Sequence, residues 1–174
     1  MRPMLEGLAP VIDADTRLVV LGSFPGVASL AAQQYYGHSR NLLWRLLSTL
    51  WDEDLVALDY PRRLDALRRR RVGLWDVYRR CEREGSLDSA IRAAEPNDLA
   101  RLTALAPGLR AVAHNGAESA RSRRLTERLG VDVHTLPSTS PANASWSFER
   151  KLAAWRAVFS RYDLAPSPTR TLPP

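Results

Sequence analysis

Four short apolar runs, at residues 18–21 (LVVL), 72–75 (VGLW), 110–114 (RAVAH) and 131–136 (VDVHTL), each stop on a polar or glycine-containing loop. Runs this short and this β-branched predict strands in the interior of a sheet. The longer segments between them carry helical spacing. In residues 41–51, Leu43, Leu46, Leu47 and Leu50 fall on one face. Pro61 suits the first turn of a further helix, with Leu64 and Leu67 inward and arginines outward. Asn97 is placed to cap another, which carries Leu99, Leu102 and Leu105 and ends at Pro107-Gly108. One more runs from Gly116 to about Leu129. In residues 147–162, Phe148, Leu152, Trp155 and Phe159 form an apolar stripe at helical steps. Strands alternating with helices in this way predict an α/β protein: a parallel sheet covered on both faces, a three-layer α/β/α sandwich.

The chain of 174 residues reads as a single domain over residues 1–164, followed by a proline-rich tail at 165–174 that is expected to be disordered. Residues 1–16 look like an irregular lead-in. Residues 78–95 are too polar to assign, apart from a turn at Gly85-Ser86-Leu87-Asp88 that would open a helix. No apolar run reaches the length of a membrane span, and the N-terminus lacks the charged-then-apolar layout of a secretory signal. The single cysteine, Cys81, excludes an internal disulfide and a four-cysteine iron–sulfur site. With three histidines and no Cys/His cluster, neither a metal nor another cofactor is expected. The net charge of +6 is compatible with a nucleic-acid partner. It does not demand one, because only Lys151 among 25 basic residues is a lysine and an arginine-rich composition accounts for much of the charge. The run Arg68 to Arg71 reads first as a solvated helix face.

In a parallel sheet the carboxyl ends of the strands share one rim. The loops expected there are Gly22-Ser23-Phe24-Pro25-Gly26, Asp76, Asn115-Gly116 and residues 137–141 (PSTSP), so four polar loops converge on one cleft. The first is followed by Gln33, Gln34, Tyr35, Tyr36, His38, Arg40 and Asn41. Amides and tyrosines at this density suit a planar heterocycle, held by stacking and by hydrogen bonds to its edge. A serine hydrolase using Ser23 or Ser138 with His38 or His134 is disfavoured, since GSFPG is not the G-x-S-x-G elbow. The same loop lacks the Gly-Lys-Ser/Thr ending that triphosphate binding needs. A non-catalytic DNA- or nucleotide-binding α/β module remains open as an alternative.

Three stretches carry a resemblance to a known family: GSFPG with SLAAQQYYGHSRNLLW, then GLWDVYRRCEREGSLDSAI, then LPSTSPANASWSFERKLAAW. In order and spacing, from about Leu18 to Phe159, they resemble the motifs of the uracil-DNA glycosylase superfamily, and most of all its hypoxanthine-DNA glycosylase branch, family 6. Leu43 departs from the pattern, which usually has an aromatic residue there. The resemblance implies four strands in the order 2-1-3-4. It also implies a monomeric, monofunctional DNA glycosylase, cytoplasmic and nucleoid-associated. Its partner would be single- or double-stranded DNA carrying a deaminated base, hypoxanthine ahead of xanthine or uracil, excised by attack of water.

Such chemistry needs a group to place water, donors for the departing base and a pocket for a flipped nucleotide. Asn41 matches the asparagine of the first motif and is implied to place the water; it also suits an N-cap for the helix that follows. Asn115 matches the Asn-Gly after the third strand, with a role in catalysis or base reading, or simply in a left-handed turn. Gly22, Ser23, Phe24, Tyr35, Tyr36 and Asp76 are assigned to the base, Asp76 as acceptor for a purine N1–H. Some other branches place Asp or Asn directly after the strand's glycine, where this chain has the shorter Ser23. Ser138, Thr139, Ser140, Pro141 and Asn143 match the loop that pinches the DNA backbone. Ala142 and Ala144 are small, leaving Asn143 or Trp146 to fill the hole in the duplex. Lys151 lies on the last helix, so no Schiff base is expected at the cleft.

Overall fold

The computed structural model describes residues 2–166. Its elements begin with β1 (Leu5–Glu6), β2 (Leu18–Gly22), α1 (Val27–Ala32), α2 (Leu43–Trp51), α3 (Tyr60–Arg69), β3 (Val72–Asp76) and β4 (Tyr78–Glu82). A single 3₁₀ turn (Asp88–Ala90) is followed by β5 (Arg92–Pro96), α4 (Arg101–Leu105), β6 (Ala111–Asn115), α5 (Ala117–Ala120), α6 (Arg123–Glu127), β7 (Asp132–Leu136) and α7 (Phe148–Arg161).

The four apolar runs pair in parallel in the order β3-β2-β6-β7, which is 2-1-3-4 when the runs are counted along the chain. Residues of β2 alternate between two cores. Leu18 and Val20 meet the leucines of α2 and Trp155 and Phe159 of α7. Val19 and Leu21 meet Trp75, Leu99, Leu102 and Val112. A strand buried on both faces has no polar alternation, which is why β2 and β3 read as nearly continuous apolar segments, whereas the edge strand β7, exposed or half-buried up to Leu136, carries Asp132, His134 and Thr135. Each fully buried leucine of α2 contributes about 1.5–3 kcal/mol of burial free energy, and Leu43, Leu46 and Leu47 have no exposed surface.

Register sets the level at which the strands end. Gly22 pairs with Asp76, Leu21 with His114 and Asn115 with Leu136, so the last residues of all four strands lie side by side. Helix α3 begins as its sequence dictates, with the Asp59 carboxylate accepting from the Arg62 amide at 3.1 Å and Pro61 in the first turn.

Several expectations are corrected. Residues 78–95 contain no long helix; β4 and β5 pair antiparallel, and β1 joins them in a second sheet, β1-β4-β5. Register shifts within the β4–β5 ladder break the clean alternation that would have marked these strands. The turn at Gly85 opens only the 3₁₀ turn. Asn97 caps no helix: its Nδ2 donates to the Asp76 carbonyl at 2.8 Å and its N–H to the Val77 carbonyl at 2.7 Å. The segment after Gly116 divides into α5 and α6 instead of forming one helix. Of the expected tail, Ala165 packs on the core and the Pro166 carbonyl accepts from Ser160 Oγ at 3.2 Å. The rest of the expected tail, residues 167–174, lies outside the described residues. Among the described residues no helix is long and apolar enough to cross a membrane.

Candidate active site

Above the carboxyl ends of the strands lies a cavity of about 1120 Å³. Its walls include every residue that the sequence assigned to a site: Gly22, Ser23, Phe24, Tyr35, Tyr36, Asn41, Asp76, Asn115, Ser138, Thr139, Ser140, Pro141 and Asn143. His38, Arg40 and Trp146 line it as well.

Asn115 and the loop after β7 are built as one unit. The Asn115 amide donates to Thr139 Oγ1 at 2.9 Å and to Tyr36 Oη at 3.2 Å, and its Oδ1 accepts the Thr139 N–H at 3.0 Å. Thr139 has no exposed surface, so it anchors the loop, while Ser140 and Pro141 sit nearer its surface. The left-handed residue in this turn is Gly116, at φ 99°, and not Asn115. A Cβ on Gly116 would crowd Ser138, so glycine is required there for space as well as for conformation. The Thr139 carbonyl accepts from the Leu42 amide at 3.0 Å, tying this loop to the first motif.

Helix α7 holds the same loop from below. Trp155 Nε1 donates to the Pro137 carbonyl at 3.1 Å, and Lys151 Nζ donates to the Asn143 carbonyl at 2.8 Å. Lys151 therefore reaches the underside of the cleft, closer than its place on the last helix suggested. Its burial holds the ammonium below the usual lysine range.

Asp76 ends β3 beside Gly22, where any side chain would strike its carboxylate, so the close approach demands glycine. The carboxyl is 5 % exposed, and its Oδ2 is enclosed with no hydrogen-bond partner among the described residues. Burial, followed by the nearby Asp88 charge, pushes its pKa up to about 7, against a smaller opposing pull from Arg83. Tyr36 adopts φ 55°, a conformation that a bulky residue rarely takes, and it brings its hydroxyl to Asn115 beside this carboxyl. Tyr35 is a structural post: its hydroxyl donates toward the Leu8 and Ala9 carbonyls, its N–H donates to Tyr60 Oη, and its carbonyl accepts from Trp44 Nε1.

Ser23 donates to Asp88 Oδ1 at 2.6 Å, and the Val27 amide donates to Ser86 Oγ at 2.9 Å. The segment of residues 86–89, not foreseen as part of the site, thus forms a wall against the glycine-rich turn. Arg83, also unforeseen, fixes both sides, donating to the Pro25 and Gly85 carbonyls at 2.7 Å while its guanidinium lies over the Phe24 ring. In the sequence this wall lay within the second of the three family-like stretches, residues 73–91, and showed locally as the turn at residues 85–88. The N-cap position of α2 is Leu42 and not Asn41, which lines the cavity one residue earlier and whose Oδ1 accepts from the Leu43 amide, the first of the helix, at 3.0 Å.

An α/β sheet with a cavity at the rim of its strands, lined by apolar and polar groups together and bordered by a hydroxyl-rich loop, is a fold and site suited to holding a nucleotide. The sequence profile of the Uracil DNA glycosylase superfamily matches residues 9–159. The chain belongs to that superfamily. It is 39 % identical over 156 residues to the Hypoxanthine DNA glycosylase of Methanosarcina barkeri (strain Fusaro / DSM 804), covering 90 % of this chain and 98 % of that one. A protein of the same description from Methanosarcina acetivorans is 39 % identical over 154 residues, covering 88 % and 97 %. A solution NMR structure of a candidate uracil DNA glycosylase from Methanosarcina acetivorans superimposes with a TM-score of 0.83 at 37 % identity, covering 92 % of this chain and 99 % of that one.

Proposed function

We propose that this chain is a monofunctional DNA glycosylase that removes a deaminated base, hypoxanthine first and xanthine or uracil after it, from single- or double-stranded DNA. Superfamily membership and two relatives named for hypoxanthine support the reaction class. The observation that carries the base assignment is the buried Asp76 carboxyl with an oxygen that has no hydrogen-bond partner among the described residues, set in a cavity walled by Tyr36 and Phe24. An unsatisfied buried polar atom is costly, and a ligand that pairs with it gains accordingly. A flipped lactam base, with its ring N–H beside a carbonyl, offers that pairing.

In this reading the C1′–N9 bond of deoxyinosine breaks with its electron pair passing to the base. A water oxygen bonds to C1′, and the proton that the water gives up ends on the departed base. Asn41 positions that water through its side-chain amide. Asn115 holds Tyr36 and the 138–143 loop in place, and the exposed groups of Ser140, Pro141 and Asn143 meet the DNA backbone. The enzyme works as a monomer on chromosomal DNA, in the cytoplasm at the nucleoid.

Incubation with oligonucleotides carrying one deoxyinosine, deoxyxanthosine or deoxyuridine, followed by hot alkali, tests the proposal. Strand breakage at deoxyinosine, fastest of the three, is expected. Binding to the lesion without breakage would identify a non-catalytic DNA-binding module instead.

A further inference from the structure

Asp76 lacks everything that normally keeps a buried carboxylate ionised. Its Oδ2 is enclosed with no hydrogen-bond partner, and no ion pair reaches the carboxyl, among the described residues. The groups around it reinforce this. Asp88, on the 3₁₀ turn, raises its pKa, and Glu118 of α5 in turn raises that of Asp88. Tyr35 and Tyr36, following α1, are themselves pushed up, by burial first and by Asp76 second, and bring no positive charge. Arg83 is the cation that faces it and pulls its pKa down by less than burial and Asp88 raise it; its Nη2 and Nε donate to the Pro25 and Gly85 carbonyls, while its buried Nη1 has no hydrogen-bond partner among the described residues. A carboxyl in such a site keeps its proton to higher pH, as in sites where a neutral acid donates a hydrogen bond to a developing oxyanion.

We propose that Asp76 meets the base as a neutral carboxylic acid, its O–H donating to the carbonyl oxygen of the lactam edge while its C=O accepts the adjoining ring N–H. This rests on the reading above that Asp76 faces the flipped base. As the glycosidic bond breaks, negative charge spreads onto that carbonyl oxygen. A donor there stabilises the leaving group, whereas a carboxylate would repel it. Asp76 holds its proton from start to finish, so the balance of the hydrolysis is unchanged.

Asparagine reproduces a carboxylic acid's pairing, one donor beside one acceptor, and cannot ionise. The test is the second-order rate constant of excision from deoxyinosine duplex between pH 5.5 and 9 for the wild type, Asp76→Asn and Asp76→Ala. Comparison between proteins cancels the substrate's own titration. The proposal expects Asp76→Asn to stay within about threefold of the wild type at pH 6. It also expects the wild-type rate to fall relative to Asp76→Asn as pH rises above about 7, approaching tenfold per unit, and Asp76→Ala to lose more than tenfold throughout. A loss beyond tenfold in both variants at pH 6 would show that the carboxylate itself reads the base and would overturn the proposal, while leaving the base assignment standing. A wild-type profile parallel to that of Asp76→Asn up to pH 9 would also overturn it. An unchanged rate in Asp76→Ala would remove Asp76 from the base altogether and with it the reading on which the proposal rests.

Discussion

Asn115 grips Thr139 with both ends of one amide, donating to the hydroxyl at 2.9 Å and accepting the backbone N–H at 3.0 Å. Residues 24 positions apart are thereby locked into one corner, which also holds the Tyr36 hydroxyl. Asn115→Ala is expected to leave the Thr139 amide unsatisfied and lower stability by about 1–3 kcal/mol. Because the loop proposed to grip DNA would loosen, affinity for lesion duplex should fall together with the excision rate. Thermal melting and fluorescence anisotropy check this. A rate loss with unchanged affinity and melting would assign Asn115 to the chemistry instead.

Two buried titrating groups set opposing pH dependences of stability. His114, fully buried between the Ser119 and Thr126 hydroxyls, is pushed from 6.5 down to about 4 by burial. The unfolded chain takes up that proton first, so the stability His114 gives is present above pH 6.5 and drains away as pH falls to about 4. Asp76 runs the other way: its folded value of about 7 lies above the ordinary 3.8, so its contribution is full below 3.8 and is lost as pH rises through about 7. Between these limits the two slopes offset each other. Asp76→Asn should expose the histidine slope, with stability rising from pH 4.5 to 6.5, and should exceed the wild type at pH 8 by something on the order of 3 kcal/mol. Urea unfolding across that range reads it directly; curves for the two proteins that stay parallel would contradict it.

Lys151 touches the cleft only through the Asn143 carbonyl. Lys151→Met, which keeps the buried stem and removes the donor, should weaken lesion binding several-fold with little loss of folding. Borohydride added during turnover should trap no protein–DNA adduct, since the ammonium is occupied beneath the loop. A trapped adduct lost in Lys151→Met would mean lyase chemistry.

The sheet was legible because burial on both faces writes itself as unbroken apolar runs, and register then delivered Gly22, Asp76 and Asn115 to one level. The motif residues could be gathered because three of the rim loops carry glycine, asparagine or serine in a recognisable order. What sequence could not convey was pairing at a distance. Ser23 and Asp88 lie 65 positions apart, and neither residue alone signals the 2.6 Å hydrogen bond between them. Arg83 lies in the polar stretch 78–95 that carried no assignable pattern, because bulged pairing hid β4 and β5 around it. Lys151 was placed on the right helix, but only the direction in which the first turn of α7 faces shows that it reaches the loop.

Asn41 carries the proposal that this cavity places water for attack at C1′, yet its Oδ1 also accepts from the Leu43 amide at 3.0 Å and so supports the start of α2 in the manner of a cap. The two roles differ in what their loss affects. Without the cap, Asn41→Ala should lose about 1 kcal/mol of stability. Without the water-placing amide, the loss falls on the transition state and not on binding. Single-turnover release of hypoxanthine from deoxyinosine duplex by Asn41→Ala, at saturating enzyme, measures the second directly. The account predicts a fall of about a hundredfold, roughly 2.7 kcal/mol, with affinity for the duplex nearly unchanged. A rate close to wild type in a variant with a lowered melting temperature would contradict it and leave Asn41 as a helix cap alone.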